Sequence, residues 1–141
     1  MARFTCCIWD FNGTILDDVE AGIKSVNKLL AERGLPTLRD KTDYHRHFGF
    51  PIKNYYESLG FDFSVESYEE IAPKWVDEYL INVKSAPLCQ GVGESLELLR
   101  KEGIKQVIIS ATELDMLKGQ LADLGISEYF DEVWGLNNIH A

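Results

Sequence analysis

The chain has 141 residues, enough for one domain or for a core carrying an insertion, and long enough to bury most of its apolar surface without staples. A formal net charge of -9 argues against nucleic acid or an anionic membrane surface as a partner, because both need basic patches. It leaves room for a small anionic substrate, since one local site can be positive inside an acidic protein. Cys6, Cys7 and Cys89 show no zinc spacing and their count is odd, so reduced, buried thiols in a cytoplasmic protein are expected. Behind Met1, the apolar run Phe4 to Trp9 is too short for a signal peptide or a membrane span.

That run is continuous rather than alternating, which predicts a strand buried on both faces. It ends in Asp10, and Gly13-Thr14 then turns the chain. Asp17 fits a helix N-cap with Glu20 as its capping-box partner, followed by a stripe of Val19, Ile23, Val26 and Leu30. Gly34 and Pro36 stop that helix. Tyr44, His47 and Phe48 suggest a short helix, and Ile52, Tyr55, Tyr56 and Leu59 another. Tyr68, Ile71, Ala72, Trp75, Val76, Tyr79 and Leu80 share one further helical face. Pro73 should kink that helix or mark its start near Ala72. Residues 16–85 offer no strand.

After Pro87 the pattern changes. Val92, Leu96 and Leu99 form a helical stripe that Gly103 closes. Gln106 to Ile109 reads as a buried strand ending on Ser110. Thr112 can cap a helix carrying Leu114, Leu117, Leu121 and Leu124, and Tyr129 to Trp134 predicts a last strand before Gly135. Strand-helix-strand-helix-strand is the sign of a parallel sheet with right-handed crossovers. The expected fold is therefore α/β, a Rossmann-like core over residues 1–15 and 86–141 split by an all-helical insertion over 16–85.

In such a sheet Asp10 and Ser110 reach the same edge, where open α/β sheets place their ligands. Ser110-Ala111 also precedes a helix start, whose unpaired N–H groups suit a phosphate. A carboxylate beside a bound phosphate could hold a divalent cation or attack phosphorus. The plainer readings stand beside this one: Asp10 as a turn or cap residue, Ser110 as a strand end. His45 and His47 are two apart and share no helix face, so no metal pair is expected there.

Trp9-Asp10-Phe11-Asn12-Gly13-Thr14-Ile15-Leu16-Asp17 resembles the first motif of the haloacid dehalogenase superfamily of phosphatases, acid-x-acid-Gly-Thr-apolar-apolar-Asp. Val107-Ile108-Ile109-Ser110 resembles its second motif. Gly49-Phe50-Pro51, Pro87 to Val92 and Leu124 to Asp131 are similar to landmarks of the phosphoglycolate phosphatase and β-phosphoglucomutase branch, whose fold carries a helical cap. The resemblance implies a phosphatase acting on a small phosphorylated metabolite. Asp10 would be the nucleophile, forming an aspartyl phosphate. The Asp10 carboxylate and the Asn12 main-chain carbonyl would hold Mg²⁺. Ser110, the Ala111 N–H and the Gly13-Thr14 turn would serve the phosphoryl group and its loop, and Gly49, Phe50 and Pro51 would contribute substrate contacts from the cap.

Two departures from the pattern matter. Asn12 stands where the family has the acid that protonates the leaving group and then activates water. The third-motif Lys and fourth-motif acids would lie beyond Ala141, so the core is expected to be incomplete at its carboxyl end. A catalytically weak relative that binds a phosphorylated ligand is the alternative. Phosphomutase chemistry meets the same Asn12 problem, and Gly13-Thr14 favours phosphate over the halide of a dehalogenase.

Overall fold

The computed structural model describes residues 4–137. They form two compact units: one takes the residues up to Asp17 and those from Pro87 onward, the other is Asp18–Ala86. No helix among the described residues is long and apolar enough to cross a membrane.

The first unit is built on a parallel three-stranded sheet in the order β1 (Cys6–Trp9), β2 (Lys105–Glu113), β3 (Glu132–Leu136). Helices α5 (Val92–Lys101) and α6 (Leu114–Asp123) connect the strands and pack on β2. Trp9 pairs in register with Ile108, so their side chains share a face. Ile108 is fully buried there, with Leu96 of α5 and Leu117 of α6 equally closed off. Gln106 lies on the same face and ties it together. Its amide oxygen accepts from the Trp9 indole at 3.1 Å and its amide nitrogen donates to the Leu96 carbonyl at 3.1 Å.

The opposite face is different. Ile8, Ile109 and Trp134 are 65%, 53% and 60% exposed, so β1 is not buried on both sides as its apolar run predicts. A continuous apolar run suits a strand with a layer on each face, and the helices among the described residues cover one. The thiols also depart from expectation: Cys6, on the open face, is exposed, while Cys7 and Cys89 are half-buried, and none of the three is in a disulfide.

Where the chain leaves this unit and where it returns, two extended segments run antiparallel. The Cys89 N–H donates to the Ile15 carbonyl at 2.8 Å and the Asp17 N–H to the Pro87 carbonyl at 2.9 Å. This rung occupies Asp17, and α1 (Val19–Glu32) takes Asp18 as its preceding residue instead. The expected Asp17–Glu20 capping box therefore does not form. The Asp18 carboxylate accepts from the Tyr79 hydroxyl at 2.6 Å.

The second unit is all-helical: α1, α2 (Lys41–His47), α3 (Ile52–Ser58) and α4 (Tyr68–Asn82), with a 3-10 turn at Val83–Ser85. Ile23, Val26, Leu29 and Leu30 of α1 meet Tyr55, Tyr56, Leu59, Phe61 and Ile71 in one buried cluster. Aromatic rings continue through it, Tyr55 against Tyr56 at 5.5 Å and Tyr56 against Phe61 at 5.3 Å. Burial pushes the phenols of Tyr55 and Tyr56 far above their ordinary range. The Tyr55 hydroxyl has no hydrogen-bond partner among the described residues. Trp75 stacks on Tyr79 one helical turn away, centroids 4.8 Å apart.

Helix α4 starts at Tyr68, not near Ala72. Glu70 accepts from both the N–H and the hydroxyl of Ser67 at 2.9 Å, which fixes the start one turn before Pro73.

Candidate functional site

The loop after β1 closes tightly. The Phe11 carbonyl accepts from the N–H groups of Thr14, Ile15 and Leu16 at 3.2, 2.9 and 3.1 Å, and the Gly13 N–H donates to the Leu16 carbonyl at 2.8 Å. Gly13 turns the chain at φ +72°, a left-handed conformation that other residues adopt only with strain. Phe11 and Ile15 are fully buried beneath the loop, so its position rests on packed apolar side chains while Asp10, Asn12 and Thr14 stay exposed. The Thr14 hydroxyl donates to Asp10 Oδ2 at 3.3 Å.

Strand β2 runs three residues past the expected end. Ser110 does not close the strand and Thr112 does not cap α6; the cap is Glu113, whose carboxylate accepts from the N–H groups of Asp115 and Met116 at 3.1 and 2.9 Å. Those bonds, the Met116 one first, hold the Glu113 carboxyl below its usual range. The start of α6 is thus already supplied with a negative group, and the helix-terminus anion site expected at Ser110-Ala111 is displaced along the chain.

The extra strand length gives Thr112 another job. Ser110 and Thr112 alternate onto the same face of β2, and both are buried. The Thr112 N–H donates to Ser110 Oγ at 3.0 Å, Ser110 Oγ donates to Thr112 Oγ1 at 3.0 Å, and Thr112 Oγ1 donates to Asn12 Oδ1 at 2.7 Å. One chain of hydrogen bonds therefore joins the loop after β1 to the far end of β2. The Ser-x-Thr alternation is the sequence signal for it.

Gly135 belongs to the same construction. It lies inside β3, which begins at Glu132 rather than at Tyr129, the latter falling in a 3-10 turn over Ser127–Tyr129. A Cβ at 135 would sit 2.7 Å from the Thr112 carbonyl oxygen and 2.9 Å from Leu114 Cα. A glycine within a strand often marks such a close backbone approach. Gly135→Ala is expected to destabilise the protein by about 1–3 kcal/mol, read as a lower urea midpoint, and to displace Thr112 from Asn12.

Gly49, Phe50 and Pro51 lie between α2 and α3 in the helical unit, and Phe50 is 68% exposed. His47 Nδ1 is 3.2 Å from Ser58 Oγ. Among the described residues no group of three His, Cys, Asp or Glu side chains is placed to hold a metal. The donors in the β1 loop are hard oxygens: the Asp10 carboxylate and the main-chain carbonyl of Asn12. One carboxylate and a carbonyl, completed by water and phosphate oxygens, suit Mg²⁺, which seldom takes an all-protein cage.

A family model described as haloacid dehalogenase-like hydrolase matches residues 7–141, and the chain belongs to this family. It is 24% identical over 139 residues to a protein of Caldanaerobacter subterraneus subsp. tengcongensis provisionally named pyrophosphatase PpaX, a match taking in 96% of this chain and 60% of the relative. A predicted phosphoglycolate phosphatase from Haemophilus somnus 129pt superposes with a TM-score of 0.73 at 18% identity, over 99% of this chain and 67% of that one. Protein Tyrosine Kinase A of Mycobacterium tuberculosis superposes with a TM-score of 0.80 at 21% identity, over 97% and 62%. The fold is thus that of the haloacid dehalogenase-like hydrolases, and the chain spans 60% of the length of its curated relative.

Proposed function

We propose that the protein transfers the phosphoryl group of a small phosphorylated metabolite to Asp10 and then, with an amide at position 12, hydrolyses the aspartyl phosphate slowly. The observation that carries this reading is the hydrogen-bonded arrangement of Asp10 with Thr14 and of Asn12 with Thr112 and Ser110, at the carboxyl ends of two adjacent parallel strands. Phosphoryl transfer asks mainly for positioning and charge neutralisation, and those residues support the positioning. Thr14 engages Asp10 Oδ2, which supports attack through the other carboxylate oxygen. The Ser110 hydroxyl, turning from Thr112 toward substrate, and the Ala111 N–H would receive phosphoryl oxygens. Asp10 and the Asn12 carbonyl would hold Mg²⁺, which supplies charge neutralisation between carboxylate and phosphate. Gly13 sets the turn that aims the loop, and Gly49, Phe50 and Pro51 would give substrate contacts. The names borne by relatives, a pyrophosphatase and a phosphoglycolate phosphatase, support a phosphate ester or anhydride as substrate.

Phosphate release from p-nitrophenyl phosphate by the full-length gene product should fall by about 10³-fold or more in Asp10→Ala. Addition of a chelator should have a comparable effect on the unmodified protein. Equal release by the unmodified protein and Asp10→Ala would rule out Asp10 as nucleophile.

A further inference from the structure

Position 12 carries an amide at the end of a chain of buried hydroxyls. Donation runs in one direction through the buried hydroxyls, from Ser110 to Thr112 and from Thr112 Oγ1 to Asn12 Oδ1. The amide oxygen is therefore turned toward Thr112, and the remaining polar atom of the side chain, Nδ2, is a donor only. A protonated carboxylic acid held by Thr112 would show the same pattern: one oxygen accepting, the other donating. Asn12 thus reproduces the hydrogen bonding of an undissociated acid, but it can neither release its proton nor take one up.

Resting on the reading of Asp10 as nucleophile, we propose that this site stores the phosphoryl group it accepts. Its donors are compounds whose leaving group departs as a stable anion, an acyl phosphate or a phosphoric anhydride. In the first step an Asp10 oxygen forms a bond to phosphorus and the bond from phosphorus to the leaving oxygen breaks. The leaving oxygen keeps the electron pair, and no proton is required. Alkyl phosphates are poor donors, because an alkoxide would have to leave without the proton that an acid at position 12 would deliver. In the second step a water oxygen would bond to phosphorus, the Asp10–phosphorus bond would break, and one water proton would need an acceptor. Asn12 is not one, and Ser110 and Thr112 are neutral hydroxyls already engaged with each other and with Asn12. Neither hydroxyl in the chain that ends on Asn12 takes that proton, and the acyl phosphate on Asp10 outlives the first step.

The test is intact-mass measurement on the full-length gene product incubated with acetyl phosphate and Mg²⁺. The unmodified protein should gain one phosphoryl group in most molecules, removable by hydroxylamine, and Asp10→Asn should gain none. In Asn12→Asp the adduct lifetime should shorten by about 10²–10⁴-fold, the usual worth of general acid–base help. Sustained phosphate release by the unmodified protein with no adduct, while Asp10→Asn stays silent, would overturn storage and leave Asp10 as the nucleophile. If the unmodified protein and Asp10→Asn behave alike, whether both release phosphate or both are inert, the nucleophile assignment fails and the storage proposal with it.

Discussion

Replacing Asn12 with Asp should raise steady-state hydrolysis of p-nitrophenyl phosphate by about 10²–10⁴-fold. The substitution is nearly isosteric, and a carboxylate oxygen accepts from Thr112 Oγ1 as the amide oxygen does at 2.7 Å. The loop geometry set by Phe11, Gly13 and Ile15 should not change. What changes is that position 12 acquires a proton acceptor for the attacking water and, once protonated, a donor for the leaving oxygen. The gain should fall in kcat, with KM altered little, because ground-state contacts to the phosphoryl group come from other residues. It should also be larger for alkyl phosphates, which need the proton most, than for aryl or acyl phosphates. An unchanged kcat in a folded Asn12→Asp protein would mean that another residue already supplies the acid–base function.

The second large effect is in stability at high pH. Tyr55 and Tyr56 are 5% and 2% exposed, and burial raises both phenols well above the ordinary value of 10.0. In the unfolded chain they ionise near pH 10; in the folded protein they stay neutral. Because the folded values are the raised ones, their contribution is fully present below pH 10 and drains away as pH climbs above it. Each phenol should steepen the loss by about 1.4 kcal/mol per pH unit, so the pair gives about 3 kcal/mol per pH unit. Circular dichroism and phenolate absorbance, followed together, should show helix loss and the appearance of these two phenolates at the same pH. In Tyr55→Phe the slope should fall by about 1.4 kcal/mol per pH unit, and that variant also removes a buried hydroxyl with no partner among the described residues. Ionisation of both phenols near pH 10 with helix content intact would contradict this account.

Much of the architecture is readable from apolar spacing. The stripe of Ile23, Val26 and Leu30 becomes the buried side of α1, and the run around Ile108 becomes the central strand. These patterns survive because burial of many residues fixes them at once. Apart from the open face of the sheet, several departures involve a polar residue choosing one partner among several. Asp17 and Asp18 both suit a helix start, and the antiparallel rung to Pro87 takes the first while Tyr79 takes the carboxylate of the second. Thr112 and Glu113 both suit the cap of α6. Glu113, the one with two acceptor oxygens, satisfies two N–H groups and releases Thr112 to Asn12. Those choices depend on residues sixty to a hundred positions away, beyond the reach of a local pattern. The proposed site follows the same division. Asp10 and Ser110 are marked by where apolar runs stop, whereas Thr112 and Gly135 gain their significance from contacts across strands.

The placement of the three indoles offers a way to watch the two units separately. Trp9 and Trp134 are on β1 and β3, and Trp75 is the one tryptophan between Asp18 and Ala86. With Trp9 and Trp134 changed to Phe, all tryptophan fluorescence would come from a ring stacked on Tyr79, whose hydroxyl holds Asp18 at the first turn of α1. Its emission would then report whether α1 and α4 remain together, independently of the sheet that carries Asp10.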